Sequence, residues 1–317
     1  MTVNHHLDEL YGLPSFTFPG VGEERELPDP ETVAWRIGVE VYEPQEEWAQ
    51  AFARFAGAVD LSRVRALIVG PWRDAYENSS KEVVDAIVAA RDRLPALRAL
   101  FLGDMTYEES EISWIAQSDV TPLLENFPGL RRFGVRGGSG LAFPPLRHER
   151  LESLVVETGG LAAEVVRGIA ASDFPALEHL DLWLGSDWYG GDAEPADLQP
   201  VLDGTRLPSL RYLALRNSVV QDRIAEALAG APVVARLDVL DLSMGTLSDE
   251  GAAALLAGQP LTHLRKLDLH HHFVGEELRT RLRETLEPAG VEVDLDDGGA
   301  ESDEDEDGVH RYIAVAE

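Results

Sequence analysis

The stretch Leu237-Asp238-Val239-Leu240-Asp241-Leu242-Ser243-Met244-Gly245-Thr246-Leu247-Ser248-Asp249-Glu250-Gly251-Ala252 decides the fold. Leu240 and Leu242 flank one polar residue with a period of two, so they read as a short strand turning both leucines to one side. Leu237 sets the same frame three residues earlier, and Asp249 to Leu256 continues as a helical pattern.

That frame recurs along the chain. Leu94-Pro95-Ala96-Leu97, Phe127-Pro128-Gly129-Leu130, Phe174-Pro175-Ala176-Leu177 and Leu207-Pro208-Ser209-Leu210 are four copies of one phrase. Each is followed, three and five residues after its second apolar anchor, by an apolar pair: Leu100 and Leu102, Phe133 and Val135, Leu180 and Leu182, Leu213 and Leu215. Without the proline the frame fits Leu61-Val64-Leu67-Val69, Leu151-Leu154-Val156 and Leu261-Leu264-Leu267-Leu269, with a degenerate copy ending in Val293 and Leu295. The closing anchors fall at 69, 102, 135, 156, 182, 215, 242, 269 and 295, at intervals of 21 to 33 residues. Such spacing means stacked repeats. The proline has no N–H to donate and restricts its predecessor to extended geometry, so it ends a helix just before each strand. Helical patterns lie between strands at Glu82 to Val88, Ala162 to Ala170, Arg223 to Leu228, Asp249 to Leu256 and Glu276 to Leu286.

This frame resembles that of leucine-rich-repeat proteins, most closely the ribonuclease-inhibitor-like type, over residues 59–296 in about nine strand–helix units. The resemblance implies an α/β solenoid, a horseshoe with parallel strands on the concave face and helices on the convex face. The Asn or Cys that usually caps the turn is here Met105, Ser218, Gly245 or His272. The whole chain also resembles a group of bacterial leucine-rich-repeat proteins associated with gene neighbourhoods for ATP-grasp and radical-SAM proteins. That likeness implies an alternative role, a metal-binding accessory subunit of a peptide-modifying enzyme cluster.

The ends depart from the repeat. Residues 1–58 hold a proline- and acid-rich lead, a strand-like run from Ala34 to Val41, and an amphipathic helix with Trp48, Phe52 and Phe55. They read as an N-terminal cap, which an open solenoid end requires. Residues 296–307 carry eight acids and no base. Like charges repel there and nothing apolar can be buried, so a disordered acidic loop is expected over 297–308. Residues 309–317, with alternating Arg311-Tyr312-Ile313-Ala314-Val315, are expected to form a C-terminal strand that docks back on the array.

Composition narrows the function. Of 317 residues, 57 are Asp or Glu and 27 are Lys or Arg, giving a formal net charge of −30. A surface this negative repels phosphate backbones and anionic lipid, so neither nucleic acid nor a membrane surface is an expected partner. Absence of Cys excludes disulfides, thiolate nucleophiles and cysteine-ligated metal sites. No basic region followed by an apolar stretch opens the sequence and no apolar run reaches about 20 residues, so a cytoplasmic location is expected.

Candidate functional residues follow from the pleat, because alternate strand residues face away from the anchors. Three rows should cross the concave face. The first contains Arg132, Ser153, His179, Tyr212, Val239, Lys266 and Glu292. The central row contains Asp181, Ala214, Asp241, Asp268 and Asp294. The third contains Arg136, Glu157, Trp183, Arg216, Ser243, His270 and Asp296. Trp, Tyr and Arg dominate binding hot spots, so Trp183, Tyr212 and Arg216, with Arg136 and His179, are expected to contact a partner. Asp241, Asp268 and His270 extend that surface. Carboxylates on adjacent strands about 4.8 Å apart raise one another's pKa or recruit a hard cation, but Asp between two leucines is also an ordinary solvated position. His270-His271-His272 fits a metal site poorly, as adjacent strand residues point oppositely and His272 occupies the turn position. No Gly-x-Ser-x-Gly elbow or phosphate-binding Gly-x-x-x-x-Gly-Lys-Ser/Thr loop occurs. The expectation is a scaffold without enzymatic activity or cofactor that binds a basic protein or peptide.

Overall fold

Leucines of the frame are the core. Leu94, Leu97, Leu100 and Leu102 are buried, as are Leu207, Leu210, Leu213 and Leu215. A computed structural model describes residues 3–305 and 308–317. Its main sheet has twelve strands in sequential order. They are β1 (Glu9–Leu10), β2 (Leu13–Thr17), β3 (Ala34–Ile37), β4 (Ala66–Val69), β5 (Ala99–Leu102) and β6 (Arg132–Arg136). Then come β7 (Ser153–Glu157), β8 (His179–Gly185), β9 (Tyr212–Ser218), β10 (Val239–Asp241), β11 (Lys266–Asp268) and β12 (Glu292–Asp294). Apart from the antiparallel β1–β2 pair, neighbours run parallel. This is a repeat-built, solenoid-like α/β architecture.

Helices occupy the connections: α1 (Trp48–Ala58), α2 (Lys81–Ala89), α3 (Thr121–Asn126), α4 (Ala163–Ala171), α5 (Gln199–Leu202), α6 (Gln221–Ala229), α7 (Asp249–Ala257) and α8 (Glu276–Leu286). Their apolar sides join the anchors in one continuous core. On the opposite side of the sheet, hereafter the open face, Ala34, Ala66, Ile68 and Ala99 belong to a separate cluster. The frame prolines follow their helices by a few residues, with α3 ending at Asn126 before Pro128 and α4 at Ala171 before Pro175.

The short interval between β6 and β7 contains no helix. The chain there runs extended, bridging Asp119 with Ala142 and Arg147 with Asp173. Gly168 of α4 lets this segment approach: a methyl group there would run into the carbonyl oxygen of Phe143.

Three boundary expectations are corrected. The array begins inside residues 1–58, because β2 and β3 already pair in parallel and Trp35 and Ile37 stand in register with Leu67 and Val69. A tryptophan fills the anchor position, packed on Phe55 with ring centres 5.2 Å apart, so the leucine pattern is hidden. The acidic run is not a structureless loop: β13 (Ser302–Asp305) and β14 (Gly308–Arg311) pair as an exposed antiparallel hairpin. Tyr312 donates to Asp303 at 3.0 Å and His310 bonds Asp305 at 3.0 Å, so local partners offset the repulsion. Glu306 and Asp307, within the same run, lie outside the described residues. The strand expected over 309–317 stops at Arg311. Beyond it Ile313, Ala314 and Val315 are buried against the array as a strap that bends at Ala314.

Candidate interaction face

Strand register carries the three rows across the open face. Arg132, Ser153, His179, Tyr212, Val239, Lys266 and Glu292 stand opposite one another in succession. Asp241 stands opposite Asp268, which stands opposite Asp294. Arg136 pairs with Glu157, and Trp183 with Arg216.

Near β3 to β5 the face is covered by the chain itself. Leu7, Leu10, Tyr11 and Leu13 pack over Ala34, Ala66, Ile68 and Ala99, whose small side chains leave room for them. Tyr11 lies beneath two guanidinium groups, Arg65 at 5.5 Å and Arg132 at 5.6 Å. An empty groove of about 380 Å³ opens beside this cover, floored by Phe101, Gly134 and Val155 and flanked by Arg132 and His179.

Next comes a buried ion-pair chain. Asp104, fully buried, accepts from Arg36 Nε at 2.8 Å, from Arg136 Nη1 at 3.4 Å and from the Leu7 amide at 3.1 Å. Arg36 also donates to the Asp104 carbonyl at 2.6 Å, and Arg136 donates to Glu157 at 2.7 Å and to the Met105 carbonyl at 2.7 Å. Arg136, expected to meet a partner, is therefore committed within the molecule. Sequence reasoning passed over Arg36 and Asp104; the register of Arg36 with Ile68 was the available signal.

Trp183, Tyr212 and Arg216 form one cluster with Asp181, Asp241 and His179. Arg216 holds Asp181 in a two-pronged bond at 2.9 and 2.6 Å and reaches Asp241 at 3.7 Å. Its guanidinium lies 5.1 Å from the Trp183 ring. Tyr212 donates to Asp241 at 2.8 Å and stacks on His179 with ring centres 4.0 Å apart. Burial pushes the Asp181 carboxyl up to about 6, against the pull of Arg216, so the pair is ionised at neutral pH. Burial also works against the Arg216 charge, but Asp181 and Asp241 outweigh it and raise the guanidinium pKa. His179 is driven down to about 4 by burial and by the positive charges of Arg216 and Arg132, so its imidazole is neutral.

At the β12 edge, Lys266 Nζ lies 3.0 Å from Asp268, 3.5 Å from Glu292 and 3.6 Å from Asp294. His270 Nδ1 is 2.7 Å from Asp268. Against the cost of burial, hydrogen bonds from His270 hold the Asp268 carboxyl at about 2. Asp268, His270 and Asp294 each place one potential ligand atom within 4.8 Å of the others, yet the Lys266 ammonium already supplies the counter-charge. The three consecutive histidines diverge. His270 serves Asp268, His271 bonds the Tyr312 carbonyl at 3.0 Å, and His272 accepts from the Val274 amide at 3.0 Å in its turn.

A C-terminal strap crosses one end of these strands. From the β13–β14 pair it runs across the turns that follow β11 and β10 and then the end of β9. The His271 ring meets Tyr312 O, the Ala314 amide donates to Met244 O at 2.8 Å, and Asn217 bonds Val315. Ser113 then donates to the Ala316 carbonyl, and Tyr189 to Glu317. Ala314 and Val315 bury Trp183, Met244 and Ile112, with Val3 packed on the same cluster. Trp183 was expected to face a partner; in the structure it faces the strap.

No family model matches the chain, and no curated protein matches it. Among solved structures it is similar to a Bacteroides fragilis protein determined as a structural-genomics target. The two superpose with a TM-score of 0.73 at 28% identity, covering 80% of this chain and 70% of the other. The likeness fits a repeat-built α/β fold with a long, mostly parallel sheet. Among the described residues, no helix is long and apolar enough to cross a membrane.

Proposed function

We propose that the chain is a leucine-rich-repeat solenoid, a horseshoe whose concave side is the open face, and that this face docks a basic protein or peptide. One observation carries the reading. At the β12 edge a single ammonium, Lys266, faces three carboxylates, and the acid continues into exposed Asp296 and β13. Further along the face, Arg36, Arg136 and Arg216 each meet their own carboxylate, so those charges cancel internally. The uncompensated field lies at one end, where it steers an oppositely charged partner and fixes its orientation.

The test is affinity capture from native lysate at low and high salt. The recovered partner is then titrated with wild-type protein and with the combined Glu292→Gln, Asp294→Asn and Asp296→Asn variant. Binding that falls with salt and drops about tenfold in the variant at low salt supports the reading. Unchanged affinity in the variant overturns it. The metal-binding alternative rests on the proximity of Asp268, His270 and Asp294. Lys266, sitting among the same carboxylates, favours the electrostatic role instead.

A further inference from the structure

Three successive repeats place a non-glycine residue in left-handed backbone geometry at the same repeat position, two residues past the closing anchor: Asn217 at φ 51° near the end of β9, Met244 at φ 66° and His271 at φ 54°. Such conformations cost free energy and persist where surrounding structure, or a function, demands them. Here all three residues bond one segment. The His271 ring meets the Tyr312 carbonyl, the Met244 carbonyl accepts from the Ala314 amide, and the Asn217 side chain bonds both backbone groups of Val315. Gly159 completes the track, since a methyl group there would collide with the Ala316 carbonyl. The result is a ladder of main-chain partners, one per repeat, which reads a peptide by its backbone.

A second observation points the same way. Trp183 is only 9% exposed, at the bottom of this track, and its indole N–H has no hydrogen-bond partner. A buried donor left unpaired costs more than a typical hydrogen bond contributes, so the strap fills the apolar part of the track while leaving its polar demand unmet. Its apolar and small residues, Ile313-Ala314-Val315-Ala316, define what the track accepts.

We propose that this track is an exchangeable docking site for a peptide with an apolar–small–apolar core, and that residues 312–317 occupy it in cis. The proposal rests on the open face being a docking surface and adds which peptide core it takes and what must leave first. A tethered occupant competes at an effective concentration near the millimolar range, so a peptide in trans meets a raised apparent dissociation constant until the strap is released.

The test uses the full chain and a fluorescent peptide of residues 309–317. The release variant carries Ala314→Glu and Val315→Glu, placing two charges at buried positions. We expect the peptide to bind this variant at least tenfold more tightly than wild type, and Trp183→Ala added to it to abolish the gain. In wild type, saturating peptide should deprotect the amides of Ala314 and Val315 in hydrogen exchange while β8 and β9 stay protected. Equal binding to wild type and release variant, with strap amides that stay protected at saturating peptide, overturns the proposal. Salt-dependent binding of a basic partner is read at the β12 edge and does not depend on either result, so the two readings fail separately.

Discussion

The side-chain amide of Asn217 closes a ring of hydrogen bonds on Val315, 98 residues further along the chain. Asn217 Nδ2 donates to the Val315 carbonyl at 2.6 Å, and the Val315 amide donates back to Asn217 Oδ1 at 3.0 Å. A side-chain amide carries one donor end and one acceptor end, so it mimics the edge of a strand for the strap to pair with. Asn also tolerates left-handed geometry better than most residues.

Asn217→Ala therefore removes three buried hydrogen bonds, the two to Val315 and a longer one to the Thr158 carbonyl at 3.3 Å, and leaves a residue less suited to positive φ. A loss of about 2–3 kcal/mol in urea denaturation is expected. Asn217→Gly, which keeps the backbone relaxed, should lose less. Equal losses in both variants would show that the left-handed backbone costs nothing and that the amide accounts for the whole effect, while an Asn217→Gly variant as stable as wild type would show that the amide does not hold the strap.

Asp104 is the shared carboxylate of two buried guanidinium groups, and Asp104→Ala removes the 2.8 Å partner of Arg36 while leaving Arg136 with Glu157 alone. Breaking a buried pair on one side costs about 3–5 kcal/mol. The variant should show that loss in denaturant midpoint, together with increased exchange at the Leu7 amide, which also bonds Asp104. A loss below about 1 kcal/mol would mean solvent reaches the pair freely.

His179 gives a pH signature. Its folded pKa of about 4 lies below the ordinary value of 6.5, so folding favours the neutral ring. The stability it contributes is present above pH 6.5 and is lost as pH falls through that window toward 4, by up to about 3 kcal/mol. Asp181 acts with the opposite sign: its raised pKa favours the folded state below the ordinary aspartate value of 3.8 and that contribution fades as pH rises through about 6. A proton NMR titration should place the His179 midpoint well below 6, and His179→Phe should flatten the acid limb of the stability profile. A midpoint near 6.5 would contradict the burial of the ring.

Lys266→Met removes the ammonium from among Asp268, Glu292 and Asp294. Wild-type melting temperature should respond little to calcium, because the Lys266 ammonium already occupies the place among these carboxylates that a cation would take. The variant should melt lower at low salt and recover on adding calcium, as the freed carboxylates recruit a hard cation. Calcium stabilisation of the wild type by the same amount would revive the metal-site reading.

Gly168→Ala inverts the usual helix preference. Ala is favoured over Gly inside a helix by about 1 kcal/mol, yet here its methyl meets the Phe143 carbonyl across the helix-free segment. Net destabilisation of about 1–3 kcal/mol is expected from overpacking, read by thermal or urea unfolding. A stabilised variant would show that the segment can move away.

Strands β4 to β12 were legible in the sequence because their anchors are leucines and valines at a fixed spacing, and the core demands one at each position. Strand β3 was legible as a strand but not as part of the repeat, because Trp35 fills the anchor position with a different side chain. Helices α3 and α5 are short, with Pro122 and Pro200 in their first turns, and left no sustained periodicity to read. The rows of the open face could be written down from the pleat alone. Which members pair could not, since Arg36 meets Asp104 at a turn position outside the frame. Nor could the strap's resting place be read, because an Ile-Ala-Val run fits many apolar surfaces and its address is set by Asn217, Met244 and His271.

The strap also alters how the array should come apart. A solenoid whose repeats touch only their neighbours can fray from either end, each unit melting nearly on its own. Here Ser113 is tied to Ala316 across 203 positions, Tyr189 to Glu317 across 128, and Leu7 to Asp104 across 97. These ties fasten distant repeats to one another, so that the later units cannot peel away without first surrendering contacts made in the middle of the chain. The molecule is thereby given the all-or-none unfolding of a compact domain in a fold built for piecemeal loss.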